Sequence, residues 1–84
     1  MKLKDWNNAR RKLKVDFERQ GITRCEKCNG NFALSFGHRL KRRYITTTEE
    51  LTTVALLCQI CHEDLEHGGH DRMYDEITRI IEAR

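Results

Sequence analysis

Four cysteines stand in two pairs of identical spacing, Cys25-x-x-Cys28 and Cys58-x-x-Cys61. Cysteine thiolates bind structural zinc tetrahedrally, and two such pairs separated by about thirty residues are typical of one site with four sulfur ligands. Because thiolates would fill all four positions, the ion would have no open position for catalysis. The spacing therefore predicts a structural zinc ion that joins two distant parts of the chain.

Two other uses of four cysteines remain open on the count alone. Two disulfides would require a secreted protein, and a thioredoxin-like redox site would require one Cys-x-x-Cys pair on a βαβ pattern. The N-terminus lacks the apolar segment of a signal peptide, and no apolar run approaches the roughly 18–20 residues of a membrane span. We expect a cytoplasmic location, where paired Cys-x-x-Cys motifs bind metal more often than they form disulfides.

Two histidines lie beside this framework: His38 between the cysteine pairs and His62 directly after the last cysteine. An imidazole, with an ordinary pKa of about 6.5, can act as a base at neutral pH or bind a metal. On a helix Glu66 would share the face of His62, whereas His67 would lie about 140° away. His38 can also be a structural residue at a strand end, and His70, after two glycines, is expected at the surface.

Charge is distributed unevenly along the chain. Its 84 residues include 16 Lys and Arg against 13 Asp and Glu, a net charge of +3. Residues 1–43 hold 13 basic and 4 acidic residues, a net +9, and residues 44–84 carry the opposite sign at −6. This asymmetry favours a polyanion such as nucleic acid as partner; a solvated surface of paired charges is the alternative. The basic residues expected to contact phosphates are Arg10, Arg11, Lys14, Arg39, Lys41, Arg42 and Arg43.

A helix over residues 5–20 is predicted from apolar residues that recur at intervals of three and four. Asp5 would cap its start, and Gly21 would end it. Alternating apolar residues over 32–38 predict a half-buried strand that pairs with the apolar run 54–57. The apolar stripe of the helix consists of Trp6, Ala9, Leu13 and Phe17.

Shorter patterns complete the chain. Residues 22–24 are predicted to form a short strand before the first cysteine pair, and residues 46–50 a polar loop with one helical turn. A helix over residues 58–66 would carry the second cysteine pair and end at two glycines. A last helix is predicted over residues 71–83, with Asp71 as its N-cap. Its buried stripe consists of Met73, Ile77, Ile80 and Ile81.

These elements predict one small α+β domain over residues 1–84, with a zinc core over residues 22–67 between flanking N- and C-terminal helices. Ordering a chain of this length costs on the order of 120 kcal/mol at roughly 1.5 kcal/mol per residue, and burial offsets that cost with little to spare. A structural zinc ion contributes an apparent ~10–16 kcal/mol. The metal is therefore expected to decide whether the chain folds.

The order of cysteine pair, strand, His38, loop, strand, cysteine pair and helix resembles the HNH endonuclease superfamily, whose ββα-metal core is a treble-clef zinc fold in its cysteine-bearing branches. The resemblance covers about residues 22–67, and the spacing is also similar to that of zinc-bearing phage endonucleases that cut branched DNA. The matching segments are Cys25-x-x-Cys28, Phe36-Gly37-His38 and Leu56-Leu57-Cys58-x-x-Cys61-His62.

This resemblance implies a metal-dependent endonuclease that hydrolyses DNA phosphodiester bonds, of phage or bacterial-host origin. His38 would be the general base, and His62 a ligand of a catalytic divalent cation such as Mg²⁺, Mn²⁺ or Ni²⁺. Glu66 or His67 would complete that second site. The alternative is a catalytically inactive zinc module that binds nucleic acid or a protein partner on the same scaffold.

The chain departs from the family pattern in three places. Related sequences often carry another histidine on the helix after Cys61-His62, where this chain has Glu66 on the face of His62 and His67 on another face. Gly37 stands where the family usually has a His or Asp metal ligand. Thr53, with Thr52, stands nearest to the place of the family's middle asparagine, which fixes a loop and orients the base. A zinc deaminase is a remote alternative because its His-x-Glu and Pro-Cys-x-x-Cys motifs are absent. A transcription-type zinc ribbon would give the two histidines no role.

Overall fold

Four α-helices and one two-stranded sheet make up the chain in the computed structural model, which describes residues 1–84. The predicted small α+β class is confirmed at this level. A 3₁₀ turn over Arg42–Tyr44 lies between the first strand and the second helix. In chain order the elements are α1 (Leu3–Arg19), β1 (Ser35–His38), α2 (Thr48–Leu51), β2 (Val54–Leu57), α3 (Gln59–His67) and α4 (His70–Glu82).

Helix α1 begins two residues before its predicted start. Lys2 is the N-cap, and its backbone N–H donates to Asp5 Oδ2 at 3.1 Å, so Asp5 lies inside the first turn and is not the cap. The predicted stop is confirmed, because Gly21 adopts a left-handed φ of 74° and Ile22 N–H donates to Phe17 O at 2.9 Å. The helix therefore ends in a glycine-dependent turn that directs the chain toward the first cysteine pair.

The two strands pair antiparallel, from Ser35 opposite Leu57 to His38 opposite Val54. Strand β1 is shorter than predicted, because Ala33 adopts a left-handed φ of 48° and the Phe32 side chain is exposed. The alternation of apolar residues continues through this turn, so the prediction from that pattern made the strand three residues too long at its start. Residues 22–24 form no strand, and the predicted third strand is wrong.

Strand β2 is buried on both faces, whereas β1 is partly exposed. Val54 and Leu56 pack with Leu13 and Phe17 of α1, which confirms the buried part of its predicted stripe, and Trp6 and Ala9 of that stripe are half-buried. The other face of β2 joins the cluster made by the cysteines and the helices α3 and α4. Burial on both sides explains why β2 is a continuous apolar run.

The N-cap residues of helices α3 and α4 are Cys58 and Gly69, and the cap of α4 differs from the prediction. Cys58 precedes α3 and caps it through its sulfur, which accepts from Cys61 N–H at 3.5 Å. Gly69, with a φ of 93°, is the N-cap of α4, so Asp71 lies in the first turn and its predicted role as cap is wrong. Ile77 of the predicted stripe is fully buried, and Met73, Ile80 and Ile81 pack around it.

Candidate metal centre and adjoining histidine cavity

The four cysteine sulfurs lie within 4.8 Å of one another. With a Zn–S bond of about 2.3 Å, the edges of a tetrahedral ZnS₄ site are about 3.8 Å long, and Cys28 Sγ lies 3.6 Å from Cys58 Sγ. All four cysteines are free thiols, so the structure contains no disulfide bond. The cluster therefore has the donors and the dimensions to hold a zinc ion.

Backbone turns around the first pair direct its sulfurs inward. Cys25 N–H donates to Gly30 O, and Asn29 N–H donates to Cys25 O, each at 2.8 Å. Asn29 adopts a left-handed φ of 64°, as expected for the turn after Cys28. Gly30 N–H then points at Cys28 Sγ from 3.4 Å. This N–H group of Gly30 stabilises negative charge on the sulfur, which a zinc-bound thiolate carries.

The pKa values of two of the thiols are shifted in opposite directions. Burial raises the pKa of Cys25, but the backbone N–H groups of Cys58, Cys28 and Lys27 together outweigh it and lower that pKa to about 6. Burial and hydrogen bonds from the neighbouring thiols raise the pKa of Cys61. Four thiolates this close repel one another, so full deprotonation requires a cation among them.

A pair of side chains at the edge of β2 holds the first cysteine pair against the second. Glu26 N–H donates to Leu56 O at 2.8 Å, and Leu56 N–H donates to Glu26 Oε1 at 2.9 Å. Arg84 donates twice to the Glu26 carboxylate, at 2.9 and 2.7 Å, and its Nη2 donates to Val54 O. Sequence reasoning missed both residues, because their contacts span 30 to 58 positions.

His38 lies half-buried at the end of β1. Its Nε2 lies 3.0 Å from Leu51 O at the end of α2, and its ring meets the Trp6 ring edge-on at 5.2 Å. A carbonyl accepts only, so the neutral ring carries its proton on Nε2 and keeps a lone pair on Nδ1. Burial lowers the pKa of His38, and the hydrogen bond to Leu51 opposes that effect only in part.

His62 is oriented by two polar partners. Ser35 Oγ lies 2.8 Å from Nδ1, and Glu66 Oε1 lies 3.2 Å from Nε2, one helical turn along α3. Because a carboxylate only accepts, this contact with Glu66 has the proton on Nε2, and Nδ1 accepts from the Ser35 hydroxyl. A cation bound at Nε2 would require the proton on Nδ1, where Ser35 Oγ can accept it, and such an outer partner is typical of a metal-binding histidine. Ser35 gave no signal in the sequence beyond its position on β1.

His38 and His62 line one cavity of about 430 Å³ beside β1. Glu66, Trp6 and His70 also line it, and His70 contacts Tyr44 with ring centroids 5.9 Å apart. His70 was expected only at the surface; it is exposed and also borders this cavity. The cysteines are the single group of three or more close potential ligands in the chain. A second ion in the cavity would therefore bind few protein groups.

The remaining predicted site residues differ in their availability. Thr53 donates through Oγ1 to Glu49 O at 2.7 Å, which closes the end of α2 and does not bring Thr53 into the cavity. His67 is exposed at the last residue of α3 and also lies outside the cavity lining. The contact that holds His38 comes instead from the backbone carbonyl of Leu51.

The basic residues fall into three groups. Lys41 and Arg42 border the histidine cavity, with the Arg42 guanidinium 4.6 Å above the Trp6 ring. Arg43 lies 5.0 Å above the ring of Tyr44 on the same exposed turn. Arg39 also lines the cavity, but all three of its guanidinium nitrogens donate to Glu50 and Thr78. The basic residues on exposed positions of α1 are Arg10, Arg11 and Lys14.

Gly37 faces the core, not the cavity. A Cβ atom built there would lie 2.7 Å from Leu57 Cδ1 and 3.6 Å from Ile77 Cδ1. A larger side chain at this position would have to displace the fully buried Leu57. The absence of a ligand-type residue at position 37 therefore follows from the packing of this fold.

Gly37→Ala is expected to lower the free energy of unfolding by about 1–3 kcal/mol, the usual cost of overpacking a core. Denaturant unfolding of the zinc-loaded protein would measure it. Gly68→Ala is the matched control, because its added Cβ meets only the flexible end of Arg72 and should cost under about 1 kcal/mol. An equal effect at both glycines would contradict the close packing at position 37.

No family model, curated protein or solved structure matches this chain in the comparisons made with each. None of the helices combines the length and hydropathy that crossing a membrane requires. The metal centre and the histidine cavity therefore have to be interpreted from their own geometry.

Proposed function

We propose that this chain is a zinc-stabilised, metal-dependent endonuclease of the HNH type. The observation that carries the proposal is that His38 and His62, 24 positions apart, line one cavity with basic side chains beside the cysteine cluster. In this proposal β1, β2 and α3 form the ββα-metal unit of a treble-clef domain. The cysteines bind structural zinc, and the chemistry takes place in the cavity.

His38 is the general base of the proposed reaction. Its Nδ1 lone pair takes a proton from water, and the resulting hydroxide attacks the phosphorus of the scissile bond. The P–O bond to the leaving sugar oxygen breaks, and that oxygen takes a proton from solvent. The hydrogen bond from Nε2–H to Leu51 O fixes the tautomer that leaves Nδ1 free. Because burial lowers the pKa of His38, the ring is neutral and ready to accept a proton at pH 7.

His62 and Glu66 are the protein ligands of the proposed catalytic cation. The His62 Nε2 and the Glu66 carboxylate face each other at 3.2 Å, and Ser35 holds the other ring nitrogen. A divalent cation bound there supplies charge stabilisation for the phosphate and the leaving oxygen. With two protein ligands, the site depends on water and the DNA phosphate for its other ligands, so we expect weak binding without DNA.

DNA is the proposed substrate because of the charge next to the cavity. Lys41 and Arg42 border it, and Arg43 continues the basic surface. Lys and Arg contacts to phosphates position a duplex without reading its sequence. The proposed enzyme therefore recognises the backbone or the shape of DNA.

Incubation of zinc-loaded protein with supercoiled and branched DNA in Mg²⁺, Mn²⁺ or Ni²⁺ tests the proposal. We expect nicked or linear products that require the added cation and disappear with a chelator too weak to remove zinc from four thiolates. Binding without cleavage under every cation would favour the alternative, a non-catalytic zinc module. The small number of ligands in the cavity and the core-facing Gly37 are the observations that favour that alternative.

Cleavage should persist to a lower pH than an ordinary histidine base allows. Protonation removes the Nδ1 lone pair, and burial lowers the pKa of His38, so the neutral base survives below the ordinary value of about 6.5. Single-turnover rates at saturating Mn²⁺ should be flat through neutrality and fall only in more acidic solution. An acidic limb centred above about pH 7 would contradict His38 as the base.

A further inference from the structure

Arg39 and Glu50 form the closest side-chain ion pair in the protein, and Arg39 is one of the residues that line the histidine cavity. Arg39 Nε donates to Glu50 Oε1 at 2.6 Å, and Nη2 donates to Oε2 at 2.9 Å. The third nitrogen, Nη1, donates to Thr78 Oγ1 at 3.1 Å, and the guanidinium lies 4.5 Å above the Tyr74 ring. All three guanidinium nitrogens are therefore bound inside the protein.

The pair is largely shielded from water. The Arg39 and Glu50 side chains are 21% and 15% exposed. The hydrogen bonds from Arg39 lower the pKa of the Glu50 carboxyl, and the same bonds raise the pKa of Arg39, so both groups remain charged. A bidentate contact between planar charged groups also fixes their relative orientation, which a lysine could not do.

Arg39 and Glu50 are each adjacent in sequence to one of the two residues, His38 and Leu51, that are joined by the hydrogen bond to the His38 ring. Arg39 follows His38 directly, and Glu50 precedes Leu51, whose carbonyl lies 3.0 Å from His38 Nε2. Helix α2 has only four residues, so it cannot hold its own position as a longer helix does. The ion pair ties this short helix to the end of β1, and through Thr78 it ties both to α4.

We propose that the Arg39–Glu50 ion pair is a positioning device that holds the Leu51 carbonyl against His38 and thereby selects the ring tautomer with a free Nδ1. Its importance for catalysis rests on the proposed function, in which that nitrogen is the base. Arg39 then has no direct contact with DNA, unlike Lys41 and Arg43. The assignment differs from a phosphate-binding role, which the basic run in the sequence would give to all its members.

Two substitutions separate these roles. Arg39→Lys keeps the positive charge and loses the bidentate contact; Glu50→Gln keeps the size and loses the negative charge. A positioning pair predicts that both variants disturb His38, whereas a phosphate contact predicts that the lysine variant binds DNA normally and that the glutamine variant, with the arginine released, binds it more tightly. Arg79→Lys, at an exposed position of α4, is the matched control.

The experiment records long-range ¹H–¹⁵N spectra of the histidine rings in zinc-loaded protein, together with DNA affinity and single-turnover cleavage. We expect His38 to be the Nε2–H tautomer in the unsubstituted protein and in the control variant Arg79→Lys. In Arg39→Lys and Glu50→Gln we expect a mixture of the two tautomers. Cleavage rates of both variants should fall about 10- to 100-fold, as for displaced catalytic groups, with DNA affinity within about twofold.

The proposal is overturned if His38 keeps the Nε2–H tautomer in both folded variants, or if their main defect is in DNA affinity and its salt dependence. Circular dichroism and zinc content establish that each variant is folded. Because the tautomer is read without substrate, a protein that cleaves no DNA but shows the expected change of tautomer would refute the nuclease assignment and leave the positioning role standing.

Discussion

Removal of zinc by a strong chelator is expected to unfold this protein. The four sulfurs lie within 4.8 Å of one another and tie the turn after α1 to the start of α3. Structural zinc contributes an apparent ~10–16 kcal/mol, whereas a small domain is stable by about 5–15 kcal/mol in total. Far-ultraviolet circular dichroism should therefore lose most of its helical signal, and added zinc should restore it while Mg²⁺ should not.

Cys58→Ser is the sharpest substitution for this prediction. Cys58 caps α3 through its sulfur, and serine is a good N-cap, so the substitution removes the metal ligand while it preserves the cap. We expect the variant to bind less than one zinc per chain and to have lost its cooperative unfolding transition. Elemental analysis and thermal denaturation measure both properties. A variant that unfolds cooperatively at the temperature of the unsubstituted protein would show that zinc does not hold the fold.

His38→Gln is expected to lower the single-turnover rate of DNA cleavage by about 10²–10⁴-fold, the usual contribution of a general base. The glutamine amide can still donate to Leu51 O, as His38 Nε2 does, but it has no basic lone pair. The fold and the DNA affinity should therefore be preserved. Cleavage at an undiminished rate would show that another group, or contaminating nuclease, is responsible.

Glu66→Gln provides the contrasting result for the cation. It removes one carboxylate ligand beside His62 Nε2 and leaves His38 and its carbonyl partner in place. The rate at saturating Mn²⁺ should change less than in His38→Gln, while the Mn²⁺ concentration needed for half-maximal cleavage should rise. A lower maximal rate in His38→Gln and a higher Mn²⁺ requirement in Glu66→Gln would separate the base from the metal ligand.

Local sequence signals predicted much of the fold. The cysteine spacing identified the cluster, the interval of three and four residues identified the buried face of α1, and the glycine after α1 marked its end. These features depend on neighbours in the sequence. Boundaries were less certain, because Ala33 in a left-handed turn interrupts an apolar alternation that looks continuous from Phe32 onward.

Contacts between distant segments could not be read from the sequence. Arg39 belongs to a run of basic residues, and only the folded chain shows that Glu50 and Thr78 bind it. Trp6 was predicted as part of the helix stripe, and it also meets the His38 ring. Such pairings depend on how the helices pack, and residue type alone does not specify them.

The arrangement of His38 and His62 around one divalent cation is tested most directly by diffraction from crystals of the zinc-loaded protein soaked in Mn²⁺. Data collected just above the manganese absorption edge distinguish this ion from zinc. We predict an anomalous peak in the histidine cavity, bonded to His62 Nε2, with the His38 ring facing the same space. Manganese bound only elsewhere on the surface, with this cavity empty at saturating concentration, would contradict the proposed catalytic site.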